Sequence, residues 1–123
     1  MDHRLKSKKD IEHIFNKGDT LFYYPIKLVW GPSIHSNSTY IKTGVSVSKR
    51  NFKKAVDRNR LKRQMREVIR SEMNDPTFDH HLPLSMMYLY IGKEMVQYKL
   101  IKSSIHRLIS KVKKLHNSND LIW

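Results

Sequence analysis

Hydrophobic positions along the chain fall into short helical and alternating runs, and each run predicts one element. Ile11, Ile14 and Phe15 share a face at helical spacing, so residues 7–17 read as a short helix. Ser7 followed by Asp10 resembles a capping box, and Gly18 offers a left-handed stop. The next run, TLFYYPIKLVW, is rich in aromatic and β-branched types. Within it Ile26, Leu28 and Trp30 alternate with Lys27 and Val29, as a half-buried strand requires, and Pro25 marks a break or an edge position. Gly31 to Thr39 is a loop by composition. Alternation returns from Tyr40 to Ser48, where Ile41, Thr43, Val45 and Val47 point one way and Lys42, Gly44 and Ser46 the other.

The second half is more helical. In KRNFKKAVDRNRLKRQMREVIRSEM, at about 100° per residue, Leu61, Met65, Val68 and Ile69 gather on one side. Arg58, Asn59, Lys62, Arg63, Arg66 and Arg70 gather on the other. Residues 74–83 carry two prolines and no period, and so read as a linker. Leu84 to Ile91 is nearly continuous apolar, the mark of a strand covered on both faces. A last helix over about residues 97–115 carries Leu100, Ile101, Ile105, Leu108, Ile109, Val112 and Leu115 as one core stripe, and the tail 116–123 is expected to fray. The order is helix, two or three strands, helix, strand, helix. It predicts a single-domain α+β protein, an α/β sandwich with helices packed against one sheet, spanning residues 1–123.

Composition changes this picture through charge. Lys and Arg number 24 against 11 Asp and Glu, a net charge of +13, so a polyanionic partner is the first expectation. The absence of cysteine removes disulfides, thiolate metal sites and thiol nucleophiles. The opening MDHRLKSKKDIEHIF has charges where a signal peptide needs an apolar run, and no apolar stretch approaches the roughly 20 residues of a membrane span. A soluble cytoplasmic protein without a membrane partner is expected.

Catalysis by the chain alone has little support. A metal-dependent nuclease converges two or more carboxylates on Mg²⁺, and here the acids are scattered. His80 and His81 are adjacent in a linker, and no helix carries a paired-histidine ligand motif. No catalytic residue and no protein metal ligand is therefore assigned. The basic helix is another matter. Between Lys49 and Arg70 the only acids are Asp57 and Glu67, and Arg58, Lys62 and Arg66 follow at four-residue steps where like charges repel. Phosphates filling those gaps, with release of counterions, account for the pattern. Arginine forks grip phosphate bidentately, and Asn59 is suited to a base edge or a sugar hydroxyl.

At these residues a family resemblance emerges. Gly44-Val-Ser-Val-Ser-Lys-Arg, followed by Ala55-Val-Asp-Arg-Asn-Arg-Leu-Lys-Arg63 and then Arg66-Glu67, resembles the signature of the bacterial ribonuclease P protein subunit, centred on its Arg-Asn-Arg triplet. Two positions depart from it: Arg50 to Lys54 (RNFKK) stands where the family commonly has a glycine and a shorter connection, and Ile11 stands where the first of two helix aromatics is expected. The resemblance implies a left-handed crossover between parallel strands, which handedness rules alone would not predict. It also implies that an RNA subunit holds Mg²⁺ and cuts precursor tRNA at its 5′ end, with one protein per RNA. Carried over, Lys49, Arg50, Arg58, Asn59, Arg60, Lys62, Arg63, Arg66 and Arg70 would bind the catalytic RNA. Phe15, Tyr24, Trp30 and Ser46 would line a cleft for the single-stranded 5′ leader.

Competing readings explain less. A non-catalytic RNA-binding module, ribosome-associated or an RNA chaperone, accounts for the charge but leaves the motif spacing to coincidence. A DNA-binding helix-turn-helix lacks its preceding helix and tight turn. A membrane-surface helix needs exposed bulky apolar residues, whereas Leu61, Met65, Val68 and Ile69 are wanted in the core.

Overall fold

A computed structural model of the chain describes residues 4–34, 41–74 and 83–117. The elements run α1 (Lys8–Lys17), β1 (Asp19–Tyr23), β2 (Ile26–Pro32), β3 (Lys42–Val47), α2 (Ala55–Met73), β4 (Leu84–Tyr90) and α3 (Tyr98–Asn117). The expected α+β order is thus met, with three strands before α2. Most of the linker at 74–83, with His80 and His81, lies outside the described residues, as do 35–40 of the predicted loop and 118–123 of the tail.

The four strands form one mixed sheet in the order β1-β2-β4-β3. β1 with β2 and β2 with β4 are antiparallel, while β3 and β4 run parallel and are joined through α2. Strand parity divides the side chains between two faces. Ile26, Leu28 and Trp30 of β2 join Met86, Tyr88 and Tyr90 of β4 in the main core, against Leu61, Met65, Val68 and Ile69 of α2 and Ile101, Ile105, Leu108 and Ile109 of α3. On the opposite face Val29 packs with Ile14 of α1 and with Leu5. The central strand β2 is therefore covered on both faces, and Val29 is buried rather than exposed opposite Trp30.

Helix α1 starts as expected: the Ser7 hydroxyl accepts a hydrogen bond from the Asp10 amide at 3.3 Å. Its end differs. Gly18 has φ −78° and ψ 174°, an extended and not a left-handed conformation. Glycine is required there by proximity, because a Cβ would lie 2.5 Å from the carbonyl oxygens of both Ile14 and Trp30. A cis Tyr24–Pro25 peptide turns β1 into β2. Leu100 leaves the predicted core stripe of α3 and is exposed, whereas Ile101, Ile105, Leu108, Ile109 and Val112 are buried.

Candidate nucleic-acid interface

Helix α2 is positioned by its apolar face. Leu61, Met65, Val68, Ile69 and Met73 are buried, which turns Asn59, Arg63, Arg66 and Arg70 to solvent over about 16 Å of helix at 1.5 Å per residue. Toward the sheet edge, Arg66 and Arg70 meet Arg4 around a cavity of about 300 Å³ that is floored by Thr43, Gly44 and Val45 of β3. Three guanidinium groups around one cavity make this the chain's densest anion-attracting feature among the described residues.

The loop before α2 is built, not slack. Phe52 is buried and meets Tyr90 edge-on, ring centroids 5.6 Å apart at 71°. Its amide donates to the Ser48 carbonyl at 3.1 Å, and the Arg50 amide donates to the Ser48 hydroxyl, also at 3.1 Å. From α2, Arg58 reaches back and donates to the carbonyls of Phe52 and Lys53 at 2.8 and 2.9 Å. The loop so fixed leaves Lys49, Arg50, Lys53 and Lys54 exposed ahead of the helix.

A second surface lies on the other side of the sheet. Helix α1 packs across β2 and β4, with Ile14 against Gly31 of β2 and Leu5 close to Gly44 of β3. That crossing leaves the far end of the same face open. There the register aligns Phe22 with Lys27, Lys27 with Leu89 and Leu89 with Ser46, a row across all four strands. At about 4.8 Å per strand the row is about 14 Å wide. Phe22 is 53% exposed at one end and Ser46 is exposed at the other. Ile11 packs on the cluster that takes in Met87 and Leu89, and Phe15, half-exposed, follows one turn later on the same flank of α1. The result is an open shelf with aromatic, aliphatic, cationic and hydroxyl positions in sequence, a surface able to stack bases without choosing among them.

Among the described residues no three His, Asp or Glu side chains gather to hold a metal ion, and no helix is long and apolar enough to cross a membrane. The ionisable groups with a resolved shift are tyrosines of the core: burial pushes the Tyr88 phenol far up, and burial raises Tyr90 as well.

Comparison with known proteins places this geometry. The sequence model of the ribonuclease P family, described as "Ribonuclease P", matches residues 1–113. This chain belongs to the ribonuclease P protein family. The "Ribonuclease P protein component" of Staphylococcus carnosus is 31% identical over 117 residues, covering 94% of this chain and 93% of the relative. That of Porphyromonas gingivalis is 24% identical over 112 residues, covering 89% and 82%. In fold, the ribonuclease P protein from Thermotoga maritima superposes with a TM-score of 0.70 at 22% identity, covering 88% of this chain and 96% of that one. The Staphylococcus aureus protein gives 0.67 at 21% identity, covering 92% and 97%. The chain's function is that of a ribonuclease P protein component, working within a ribonucleoprotein endoribonuclease of tRNA processing.

Within this ribonuclease P protein the residues singled out from sequence fall into distinct places. Lys49, Arg50, Asn59, Arg60, Arg63, Arg66 and Arg70 are exposed on the loop and α2, and Lys62 is half-buried. Arg58, also half-buried, is engaged with the loop's carbonyls. Of the leader-cleft set, Phe15 flanks the shelf and Ser46 ends its row. Trp30 is a correction: fully buried, it faces α2 and α3 with Ile26 and Leu28, so it has no ring surface for a base. Tyr24 is exposed at the β1–β2 turn rather than in the row, and its charge bears on Tyr90, which faces the main core. Sequence reasoning missed Phe22, Lys27 and Leu89. Separating β1 from β2 at Pro25 would have found Phe22, since it then alternates against Leu21 and Tyr23.

Proposed function

We propose that the two surfaces divide the work of the ribonuclease P protein. The outer face of α2, with the Lys49–Lys54 loop and the Arg4–Arg66–Arg70 cavity, docks on the catalytic RNA. The shelf of Phe22, Lys27, Leu89 and Ser46 beside Phe15 holds the single-stranded 5′ leader of precursor tRNA. The observation carrying this reading is continuity: β3 ends at Val47, one residue beyond Ser46, and leads directly into the basic loop and α2. A leader on the shelf thereby lies beside the RNA held by the helix. One protein serves one RNA in the cytoplasm, and cleavage belongs to the RNA. The described part of the chain offers no carboxylate set for Mg²⁺, so Mg²⁺ is assigned to the RNA and no step is routed through the protein.

Reconstitution tests this. The protein, a bacterial ribonuclease P RNA and labelled precursor tRNA are mixed at low Mg²⁺, with the protein alone as control. Cleavage is expected only with both components present. Phe22→Ala is expected to weaken binding of precursor tRNA by about tenfold, one stacking contact, while binding of tRNA lacking a leader stays unchanged. Equal losses for both substrates would remove the leader from the shelf. Cleavage by the protein alone would overturn the division of labour.

A further inference from the structure

A second cavity, separate from the shelf and from the arginine-lined one, lies between α2 and the segment entering α3. It measures about 330 Å³ and is lined by Arg60, Gln64, Met95, Val96, Gln97 and Tyr98. That volume sits at the low end of small-ligand pockets, enough for one compact group and too small for a helix or strand. Its outer wall is held in place by Tyr90, whose hydroxyl donates to the Glu94 carbonyl at 2.6 Å and accepts from the Val96 amide at 3.2 Å. Two exposed apolar side chains, Met95 and Tyr98, border it, and Arg60 stands across from them on α2.

The polar lining has one vacancy. The side-chain oxygen of Gln64 is shut off from solvent and has no hydrogen-bond partner among the described residues. A buried carbonyl left so is costly, and a bound N–H donor would relieve it. An aromatic face, a thioether, a guanidinium plane and an amide acceptor together match the way proteins hold a splayed-out base: its faces stack on aromatic or arginine planes and its edge meets an amide. Phosphate would use Arg60 but leave Tyr98, Met95 and the Gln64 oxygen unused.

From this we infer that the cavity between α2 and the start of α3 takes one unstacked nucleobase of an RNA partner, with Tyr98 and Arg60 against its faces and Gln64 accepting from its edge. The inference rests on the reading of α2 as the RNA-facing helix, and it gives that helix a flank that grips a base as well as a face that grips phosphates.

The test is an NMR titration of the isotopically labelled full chain with a short single-stranded oligoadenylate, and in parallel with inorganic polyphosphate as a backbone without bases. The Gln64 side-chain amide and the Met95 methyl are expected to shift saturably with the oligonucleotide and not with polyphosphate. Tyr98→Ala is expected to weaken that response about tenfold to a hundredfold, the range for loss of one stacked base, whereas Tyr98→Phe keeps it. Gln64→Met, similar in volume, is expected to weaken it severalfold while raising the melting temperature of the free protein. A merely structural glutamine would give no such opposition. Phe22→Ala, on the shelf, is expected to leave these two signals unchanged.

Equal shifts with polyphosphate, or an unchanged response in Tyr98→Ala, would overturn the inference. Arg63→Ala keeps the two readings apart. If it weakens binding to ribonuclease P RNA while the cavity stays silent, the helix reading stands and the base site falls. If it has no effect on that RNA, the helix reading itself has failed.

Discussion

Arg58 and Arg63 look alike in the sequence, yet the structure gives them different work, and alanine at each separates the two roles. The Arg58 guanidinium donates to two loop carbonyls at 2.8 and 2.9 Å. Hydrogen bonds from a charged donor contribute about 1.5–3 kcal/mol each when buried. The Arg58 pair is only half-buried, so we take about 2 kcal/mol for both together. Unfolding entropy of about 2.1 cal/mol/K per residue, over 123 residues, converts each kcal/mol into about 4 °C. Arg58→Ala should therefore melt about 8 °C lower, by circular dichroism, as the loop holding Phe52 loosens. Arg63 is exposed, so Arg63→Ala should keep its melting temperature within about 2 °C, as surface changes do. Its effect should appear instead in the salt dependence of binding to ribonuclease P RNA, where the log–log slope falls by about one for a lost phosphate contact. Arg58→Ala should lower that slope by less. The reasoning fails if Arg58→Ala melts with the wild type and loses a full unit of slope, or if Arg63→Ala leaves the slope untouched.

Two further changes test the packing. Tyr88 is fully buried, and its hydroxyl has no hydrogen-bond partner among the described residues. Tyr88→Phe should therefore stabilise the protein by about 1–2 kcal/mol, and a lower melting temperature would reveal a partner for that hydroxyl. Gly18→Ala forces a methyl to 2.5 Å from two backbone oxygens and should cost about 3 kcal/mol or more through displacement of α1 from β2; chemical denaturation with an unchanged midpoint would refute the contact.

Much of the fold was legible because period and burial agreed. In β3 the alternation of Val45 and Val47 against Gly44 and Ser46 was readable, and so was the face of α2 that carries Leu61, Met65, Val68 and Ile69. What escaped depended on partners distant in sequence. Val29 looks solvent-facing until α1 covers it, and Gly18 looks like a left-handed cap until the Trp30 carbonyl arrives beside it. Trp30 was drawn toward the site by its chemistry, although its parity with Ile26 and Leu28 already placed it in the core. The basic face of α2 needed no tertiary information, since charge segregation on a helix is local. The shelf did, because Phe22, Lys27, Leu89 and Ser46 belong to four strands and meet only through register. Arg58 shows the same limit from the other side: its charge is visible in the sequence, and its attachment to the loop is not.

The pairing of the N-terminal segment with β3 has a consequence for solubility. β3 is an edge strand, and Arg4 bridges to Thr43 in parallel while the Leu5 amide donates to the Thr43 carbonyl at 2.8 Å. An uncovered strand edge is a template for another chain's strand, and cells protect such edges with short covers and with charge. Here Arg4 and Lys6 supply both a short cover and like charges that would repel a second copy approaching edge to edge. A protein carrying +13 for the sake of its RNA thus uses part of that charge to stay monodisperse before the RNA arrives.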